Sequence, residues 1–562
     1  MTSIPSAPSA PSAPEGPPGP ASLPDGPAFT PWPAEDARRY RDLGHWRGTA
    51  LGELPRTWAA RSGDRTALVF GDLRLSYTEL DRRADTLAAG LLSLGIAPGD
   101  RVLVQLPNSA DFAVLLFALA RCAAVPVLTL PAHRRSEIAH LAALSEAVAY
   151  VVPDRYAGFD HRALAAEVAE RVPSLRHILV AGDPGPFTAL DSVSAEPGPL
   201  PTADPSAPAV LLVSGGTTGK PKLIPRTHDD YAYNARASAE VCGLGPADVY
   251  LAALPAAHNF PLACPGLLGI WSAGGTAVMA PAPSPDVAFP LIEREGVTVT
   301  ALVPPMARLW TEYAEWAPED LSSLRLLQVG GARLDPDLAR RIPPALGCSL
   351  QQVFGMAEGL LSYTRPEDGP ETVATTQGRP LSPQDEVRVL DRDGAPVADG
   401  TVGELWARGP YTLRGYYRAA GHNAGAFSPD GFFRTGDLVR RLPTGHLVVE
   451  GRAKDVVNRG GENVSASELE EHLLAHPGIA QAAVVPLPDE TLGELVCAVV
   501  TAAPGAEQPR IKEVKAYLAD RGLADFMHPD RLVVLDTLPL TAVGKISKRD
   551  LVARLTDEAE AG

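Results

Sequence analysis

Short apolar runs alternate with amphipathic stretches along the first part of the chain. Residues 67–70 and 102–106 are apolar runs that predict buried strands. Between them, Ser76 and Glu79 have the spacing of a capping box. The pattern therefore predicts a helix that begins here, with one inward face formed by Leu80, Ala84, Leu87 and Leu91.

The same alternation continues downstream. Helix-like patterns cover residues 110–124 and 136–145, and strand-like runs occupy 125–128, 148–152, 209–213 and 298–303. Strands that alternate with helices form parallel sheets covered by helices. The sequence thus predicts an α/β architecture for this part of the chain.

The pattern changes after about Arg452. Ser465 and Glu468 form a second capping-box pair, and short strands of four to five residues or slightly more are predicted at 482–486 and 495–500. A further helix is predicted around Ile511, Val514 and Leu518. This is a compact α+β module of about a hundred residues, a normal size for a domain.

The N-terminal end has a different composition. Residues 1–27 are almost entirely Pro, Ala, Ser and Gly, which cannot bury enough apolar surface to fold. We expect a disordered tail over 1–27, a large domain over 28–453 and a small domain over 454–562.

Charge and cysteine usage narrow the classes of function. The 562-residue chain has a net charge of −17, which argues against nucleic acid as a partner. No apolar run is long enough to span a bilayer, and the start lacks a signal-peptide pattern, so no membrane partner is expected. The five cysteines have neither metal-site nor disulfide spacing. A cytoplasmic location is expected.

The segment 213–222, VSGGTTGKPK, crowds small residues, hydroxyls and lysines into one loop. Its glycines allow close approach of the backbone to an anion, and its hydroxyls and lysines supply donors and charge. It is not a Walker A motif, because Pro221 replaces the metal-binding hydroxyl. The loop predicts a nucleotide or polyphosphate site, the alternative being an ordinary flexible turn.

Four further segments each allow a functional and a plain interpretation. Glu358 follows an apolar strand and a glycine, where a carboxylate can hold Mg²⁺, or it is a solvated charge. Asp437 is the last residue of the segment Phe-Arg-Thr-Gly-Asp. It either accepts hydrogen bonds from a ribose or belongs to a simple turn. Residues 451–463 form a charged linker that we also expect to be a site. Lys545 follows Thr-x-x-Gly, which favours a defined position over free solvation.

Together and in this order, the five motifs resemble those of the adenylate-forming superfamily, which includes acyl-CoA synthetases, luciferases and peptide-synthetase adenylation domains. The resemblance runs from about Phe29 to Leu555. It implies a large N-terminal domain of stacked mixed and parallel sheets with helices and a β-subdomain, and a small mobile α+β C-terminal lid. Segments 255–266 and 355–364 are similar to those of stand-alone aryl-acid adenylating enzymes of siderophore pathways, which share Ala357 where other members commonly have Thr.

The resemblance implies ATP-dependent formation of an acyl adenylate and pyrophosphate. Lys545 would bridge the attacking carboxylate and the α-phosphate, and Glu358 would position Mg²⁺. Asp437 would bind the ribose with help from Arg452, and Phe354 would flank the adenine. The implied ATP-binding set is Ser214, Gly215, Gly216, Thr217, Thr218, Gly219, Lys222, Gly331, Ala332, Val353, Phe354, Gly355, Met356, Asp437, Val449 and Arg452.

A second half-reaction is also implied, in which a thiol takes the acyl group after the lid turns about Lys454. The implied pantetheine tunnel is formed by Asn458, Arg459, Gly460 and Gly461. No carrier-domain motif follows Leu555, so a separate phosphopantetheinylated aryl carrier protein is expected as the acceptor. Coenzyme A as the acceptor and a non-catalytic acyl-nucleotide sensor remain as alternatives.

The aryl-acid pocket implied by the resemblance consists of His258, Asn259, Phe260, Cys264, Gly330 and Leu361. Asn259 stands where peptide-synthetase domains commonly have an Asp for the substrate ammonium, and a neutral amide cannot compensate that buried charge. Cys264 and Leu361 match salicylate enzymes of the subgroup, where 2,3-dihydroxybenzoate enzymes tend to have Ser and Val. Salicylate is therefore predicted first, 2,3-dihydroxybenzoate second and a substituted analogue third. The plain alternatives are a turn cap for Asn259 and ordinary packing for Cys264 and Leu361.

Overall fold

The computed structural model describes residues 28–214, 220–452, 456–459, 462–489, 492–521, 523, 527–541 and 544–560. The predicted disordered tail, loop residues 215–219, Lys454, Gly460 and Gly461 lie outside the described residues. Within the described part, no helix combines the length and the apolar character needed to cross a bilayer.

Two large sheets form the body of the N-terminal domain. The seven-stranded sheet has the order Leu223–Thr227, Pro208–Val213, Val125–Leu128, Arg101–Val104, Ala149–Pro153, His177–Ala181 and Thr188–Ala189. The nine-stranded sheet has the order Arg379–Pro380, Leu361–Tyr363, Ser349–Gly355, Leu326–Gly330, Val299–Leu302, Val249–Ala252, Thr276–Met279, Thr66–Phe70 and Leu73–Ser76. The inner strands of both sheets run parallel.

Helices cover these sheets and fill the space between them. Ala110–Arg121 buries every residue except Asp111, as expected of a helix that packs on all sides. The largest apolar cluster joins this helix to strands of both sheets. The other α-helices of the domain are Ala34–Asp42, Leu54–Ser62, Tyr77–Ser93, Arg135–Ser145, His161–Arg171, His228–Val241, Asn259–Ala263, Gly266–Ala273, Pro285–Glu295, Pro304–Tyr313, Pro336–Leu346, Pro370–Thr375 and Ala420–Ala426.

Two smaller units complete the fold. An antiparallel sheet consists of Glu386–Leu390, Val402–Arg408, Phe433–Arg441 and Leu447–Arg452. The C-terminal module has the sheet order Glu462–Ser465, Val456–Arg459, Gly493–Ala502 and Ile479–Asp489, with Arg531–Val534 parallel to Gly493–Ala502. Its helices are Ala466–Leu474, Ile511–Asp520 and Lys548–Glu560.

The predicted α/β fold with a small α+β lid is confirmed, with two local corrections. Ser76 Oγ accepts the Glu79 N–H at 3.1 Å, but the Glu79 carboxylate binds Arg82 and Arg83. Guanidinium groups offer charged hydrogen bonds, and these replace the second half of the predicted capping box. The lid strands Ile479–Asp489 and Gly493–Ala502 are also longer than predicted, because their polar ends stay paired in one hairpin.

Candidate active site

A short helix, Asn259–Ala263, carries the floor of the predicted acid pocket. The side chain of His258 begins this helix, and its Nδ1 accepts the Phe260 N–H at 3.2 Å. His258 rather than Asn259 is thus the cap. Burial, reinforced by the charge of Lys545, lowers the pKa of His258 to about 4. The imidazole is neutral at physiological pH, and because Nδ1 accepts, its proton lies on Nε2.

The Asn259 amide is held from both ends. Its Oδ1 accepts the Tyr231 hydroxyl at 3.0 Å, and its Nδ2 donates to Cys264 Sγ at 3.3 Å. Asn259 and Cys264 are both buried. An amide nitrogen has two hydrogens, so one N–H of Asn259 is left to donate to a ligand.

Two glycines make room for the walls of this pocket. A Cβ on Gly330 would lie 2.6 Å from the Val353 carbonyl oxygen and 3.2 Å from Phe260 Cε1. A Cβ on Gly355 would overlap with Leu361 Cδ2. A larger residue would therefore collide with the Val353 backbone at Gly330 and displace Leu361 at Gly355.

Lys545 reaches from the lid into the large domain. A Cβ on Gly331 would lie 3.4 Å from Lys545 Cε, so the lysine stem packs against this glycine. The hairpin that presents it closes through the Lys545 N–H, which donates to Thr541 Oγ1 at 3.1 Å. Burial and the nearby Arg452 lower the pKa of Lys545 to about 8, against the opposing charges of Asp437 and Glu358.

Asp437 offers an acceptor close to this lysine. Its Oδ1 accepts Arg452 Nε at 2.9 Å across the strand pair Phe433–Arg441 and Leu447–Arg452. Its Oδ2 is buried and accepts no hydrogen bond from any described residue. Burial also raises the pKa of Asp437. A buried carboxylate oxygen without a donor is costly, which points to a ligand that donates to it.

Glu358 is a second carboxylate whose charge acts on Lys545. Its Oε1 accepts the Tyr416 hydroxyl at 2.9 Å, and its carbonyl accepts the Leu413 N–H at 2.7 Å. Lys222 Nζ lies 5.5 Å from the centre of the Tyr416 ring. The carboxylate and the lysine from the base of the 213–222 loop therefore meet at one tyrosine.

The described ends of that loop are joined. Ser214 N donates to the Lys222 carbonyl at 2.9 Å, and Lys222 N donates to Ser214 Oγ at 2.9 Å. The geometry brings a loop base, three ionisable groups and a neutral pocket to one place, as an enzyme that handles a nucleotide and a small acid requires.

Comparison with known proteins agrees with this arrangement. Residues 55–417 match the family model described as AMP-binding enzyme, and residues 468–545 match that of the AMP-binding enzyme C-terminal domain. The chain belongs to the AMP-binding enzyme family. The resemblance predicted from the five motifs is thereby confirmed.

This AMP-binding enzyme is similar to several characterised proteins over nearly its whole length. It is 53% identical over 534 residues, 95% of this chain and 99% of that protein, to a 2,3-dihydroxybenzoate-AMP ligase of Bacillus subtilis. It is also 55% identical to a salicyl-AMP ligase / salicyl-S-ArCP synthetase of Mycobacterium tuberculosis, over 546 residues that cover 95% of this chain and 96% of that protein. The apo structure of MbtA from Mycobacterium smegmatis is 55% identical, covers 94% of this chain and 99% of its own, and has a TM-score of 0.74.

The remaining predicted residues of this AMP-binding enzyme fall into two groups. Val353, Phe354 and Gly355 lie on the strand Ser349–Gly355, with Met356 directly after it, and Phe354 and Val449 pack against one small apolar cluster. In the lid, Asn458 and Arg459 lie on Val456–Arg459. The Arg459 guanidinium binds Asp530 at 2.6 Å, so its charge is paired within the lid, and the tunnel stays a prediction.

The sequence did not predict two residues that orient the site side chains through hydrogen bonds. Tyr231 orients Asn259, and Tyr416 binds Glu358. Neither stands in a motif that differs from ordinary helix or loop composition. Tyr416 also lies 58 residues along the chain from the glutamate that it binds, so sequence proximity gave no signal for it.

Proposed function

We propose that this enzyme uses ATP to convert an aryl acid, salicylate in first place, into its acyl adenylate and pyrophosphate. It then passes the acyl group to the phosphopantetheine thiol of a separate aryl carrier protein. The observation that carries this proposal is the position of Lys545, against Gly331 and within the electrostatic reach of His258, Asp437 and Glu358. The names of the two similar ligases support an aryl acid as substrate and, in one case, a carrier protein as acceptor.

The first half-reaction joins two anions. A carboxylate oxygen of the acid attacks the α-phosphorus of ATP, and the bond from that phosphorus to the pyrophosphate oxygen breaks. No proton has to move, so the protein contributes alignment and neutralisation of charge. The Lys545 ammonium supplies a compact cation where the two anions converge. The Nε2–H of His258 is available as a neutral donor to the carboxylate.

ATP is expected to lie along the residues predicted from the motifs. Residues 214–219 and Lys222 would hold the triphosphate, and Asp437 Oδ2 would accept from the ribose beside Arg452. Gly331, Ala332, Phe354 and Val449 would surround the adenine, with Val353, Gly355 and Met356 completing the wall. Glu358 fits Mg²⁺ because a carboxylate is the hard oxygen donor that this ion prefers. When bound, Mg²⁺ would screen the phosphate oxygens.

The choice of acid depends on the pocket floor. The donor N–H left on Asn259 suits an ortho hydroxyl oxygen, whereas a neutral amide cannot compensate the charge of a buried α-ammonium. Cys264 is a poor donor to a 3-hydroxyl group, and Leu361 would fill the space expected for that group. Identity to the two ligases is nearly equal at 53% and 55%, so these two pocket residues carry the preference for salicylate.

The second half-reaction would need the lid to turn about Lys454, with residues 458–461 lining the path of the pantetheine arm. Lys454→Pro is expected to spare adenylate formation and to slow thioester formation, in pyrophosphate-exchange and loading assays respectively. Equal loss in both assays would contradict the hinge assignment.

Coenzyme A is the second candidate acceptor. It is favoured by the similarity to a Streptomyces protein named salicylyl-CoA synthase / salicylate adenylyltransferase, 53% identical over 95% of this chain and 99% of that protein. Loading assays with a phosphopantetheinylated aryl carrier protein and with coenzyme A, at matched thiol concentrations, distinguish the two. We expect the carrier protein to be preferred and the enzyme to work in the cytoplasm.

ATP–pyrophosphate exchange over a panel of benzoic acids tests the proposal. We expect exchange with salicylate, weaker exchange with 2,3-dihydroxybenzoate and benzoate, and none with amino acids. A hydrophobic pocket separates single ring substituents by roughly 1–3 kcal/mol, so partial cross-reactivity is expected. Absence of exchange with every aryl acid would overturn the proposal and favour a non-catalytic sensor.

A further inference from the structure

A buried arginine lies between the two halves of the candidate site and takes no part in the proposed chemistry. Arg226 lies on the strand Leu223–Thr227, and its side chain is 0% exposed. Its Nε donates to Asp230 Oδ1 at 2.8 Å, its Nη1 to the Ala357 carbonyl at 3.1 Å and its Nη2 to Asn234 Oδ1 at 3.3 Å. A guanidinium is the side chain whose rigid fork can bind three such partners at once.

The charge of Arg226 is neutralised at the start of a helix. Asp230 Oδ2 accepts both the N–H and the hydroxyl of Thr227 at 2.7 Å. The Asp230 N–H in turn donates to Thr227 Oγ1 at 3.1 Å, which completes the capping box of His228–Val241. The arginine is therefore fixed relative to this helix rather than free to follow a ligand. An ion pair buried this completely depends on all of its hydrogen bonds.

One side of Arg226 supports the floor of the acid pocket. Its guanidinium lies 4.8 Å from the centre of the Tyr231 ring, and the Tyr231 hydroxyl orients Asn259. Asn234, which accepts from Arg226, donates to the Ala263 carbonyl at 2.6 Å, next to Cys264. Asn259 and Cys264 are thus each one side chain away from this arginine, Asn259 through Tyr231 and Cys264 through Asn234, whose Nδ2 lies 3.9 Å from Cys264 Sγ.

The other side supports the segment that carries the candidate metal carboxylate. The Ala357 carbonyl, which Arg226 binds, belongs to the residue directly before Glu358. The Glu358 side chain is also fixed, because its Oε1 accepts a hydrogen bond from the Tyr416 hydroxyl. The backbone hydrogen bond from Arg226 and the side-chain hydrogen bond from Tyr416 together fix where this carboxylate points.

We propose that Arg226 is a positioning residue that sets the acid-pocket floor and the Glu358 segment relative to each other. Affinity for the aryl acid and the response to Mg²⁺ would then depend on one buried side chain that touches neither ligand. This inference rests on the proposed function, because it uses Asn259 and Glu358 in their proposed roles.

Arg226→Lys tests the inference, because lysine keeps the charge but cannot reach all three partners. We expect the KM for salicylate and the Mg²⁺ concentration for half-maximal exchange both to rise about tenfold, in line with the loss of buried hydrogen bonds to a charged group. Arg121→Lys is the matched control. Arg121 is also 0% exposed and is bound to Asp81 and Asp85, away from the site. The control should lower the Tm and leave both kinetic parameters unchanged.

Values for Arg226→Lys within twofold of wild type, or changes equal to those of Arg121→Lys, would overturn the inference. If Arg226→Lys does not fold, Asn234→Ala cuts the link from Arg226 to Ala263 and leaves the links through Tyr231 and to Ala357. It should raise the KM for salicylate several-fold, and an unchanged KM would again overturn the inference. Calorimetric titration with salicylate and with Mg·ATP separates this inference from the proposed function. Wild type that binds neither ligand contradicts both, whereas equal binding by wild type and Arg226→Lys contradicts the inference alone.

Discussion

The acid-binding and nucleotide-binding halves of the site differ in how completely their polar groups are paired. On the acid side, both ends of the Asn259 amide have protein partners, because its Oδ1 accepts from Tyr231 and its Nδ2 donates to Cys264. On the nucleotide side, Asp437 Oδ2 has no donor among the described residues, and burial lowers the pKa of Lys545 to about 8.

This difference separates two tasks. A pocket whose groups already hold one another rigidly can discriminate between acids, because a wrong substituent cannot be accommodated by rearrangement. A site with unmatched buried charge gains most when the ligand brings the opposite charge or the missing donor. We therefore expect substitutions on the nucleotide side to change rate most, and those on the acid side to change selectivity.

The largest expected effect is that of Lys545→Ala. Removing the cation that meets both anions should lower the rate of adenylate formation about 10²- to 10³-fold, with little change in Tm. The measurement is pyrophosphate exchange with salicylate. Lys548→Ala is the control, since Lys548 pairs with Glu470 within the lid and should tolerate the change. Equal rates for Lys545→Ala and wild type would show that charge on the nucleotide side is not used.

Asp437→Ala should have the next largest effect. It removes the acceptor proposed for the ribose, and a hydrogen bond to a charged group contributes about 1.5–3 kcal/mol. The KM for ATP should rise about 10- to 100-fold while the KM for salicylate stays constant. Asp437→Asn keeps the shape of the side chain, and its KM for ATP should lie between those of wild type and Asp437→Ala. A rise in the KM for salicylate instead would contradict the assignment of Asp437 to the nucleotide-binding half.

The pH dependence of exchange should reveal the charge state of Lys545. Since its pKa is lowered to about 8, the free enzyme holds the cation below that pH and loses it as the pH rises through about 8. The kcat/KM for ATP should therefore fall on the alkaline side, about tenfold per pH unit once well above the pKa. Lys545→Arg stays protonated and should lack this alkaline fall. The same fall in Lys545→Arg would assign it to another group.

The smallest expected effects are those of the pocket swaps Cys264→Ser and Leu361→Val. Each should move the ratio of kcat/KM for salicylate over 2,3-dihydroxybenzoate toward the catechol acid by several-fold, within roughly 1–3 kcal/mol, and leave the KM for ATP unchanged. Cys497→Ser, in the lid core, is the control and should leave the ratio unchanged. An unchanged ratio in both pocket variants would show that Cys264 and Leu361 contribute ordinary packing and do not select the acid.

What the sequence could predict depended on whether the chemistry is contiguous along the chain. Lys545, Glu358 and Asp437 stand in short motifs, because phosphate, metal and ribose contacts need particular neighbours at fixed spacing. The alternating apolar runs were equally direct evidence of the sheets, since burial on both faces demands them.

The residues that orient the site side chains could not be predicted from the sequence in the same way. Arg226, Tyr231 and Asn234 lie on a strand and the following helix, in a stretch that resembles any polar helix start. Their roles come from packing against Ala357 and Asn259, which are distant in sequence. The capping box predicted at Ser76 formed only in part for a related reason: Ser76 caps the helix, but Arg82 and Arg83 bind the Glu79 carboxylate.

A crystal structure with a non-hydrolysable salicyl-adenylate analogue tests the difference between the two halves most directly. We expect Arg226, Tyr231 and Asn259 to keep their present hydrogen bonds. We also expect Asp437 Oδ2 to gain a donor from the ribose and Lys545 Nζ to contact the ligand. A pocket floor that rearranges around the ligand, or a ribose bound away from Asp437, would contradict the proposed difference between the two halves.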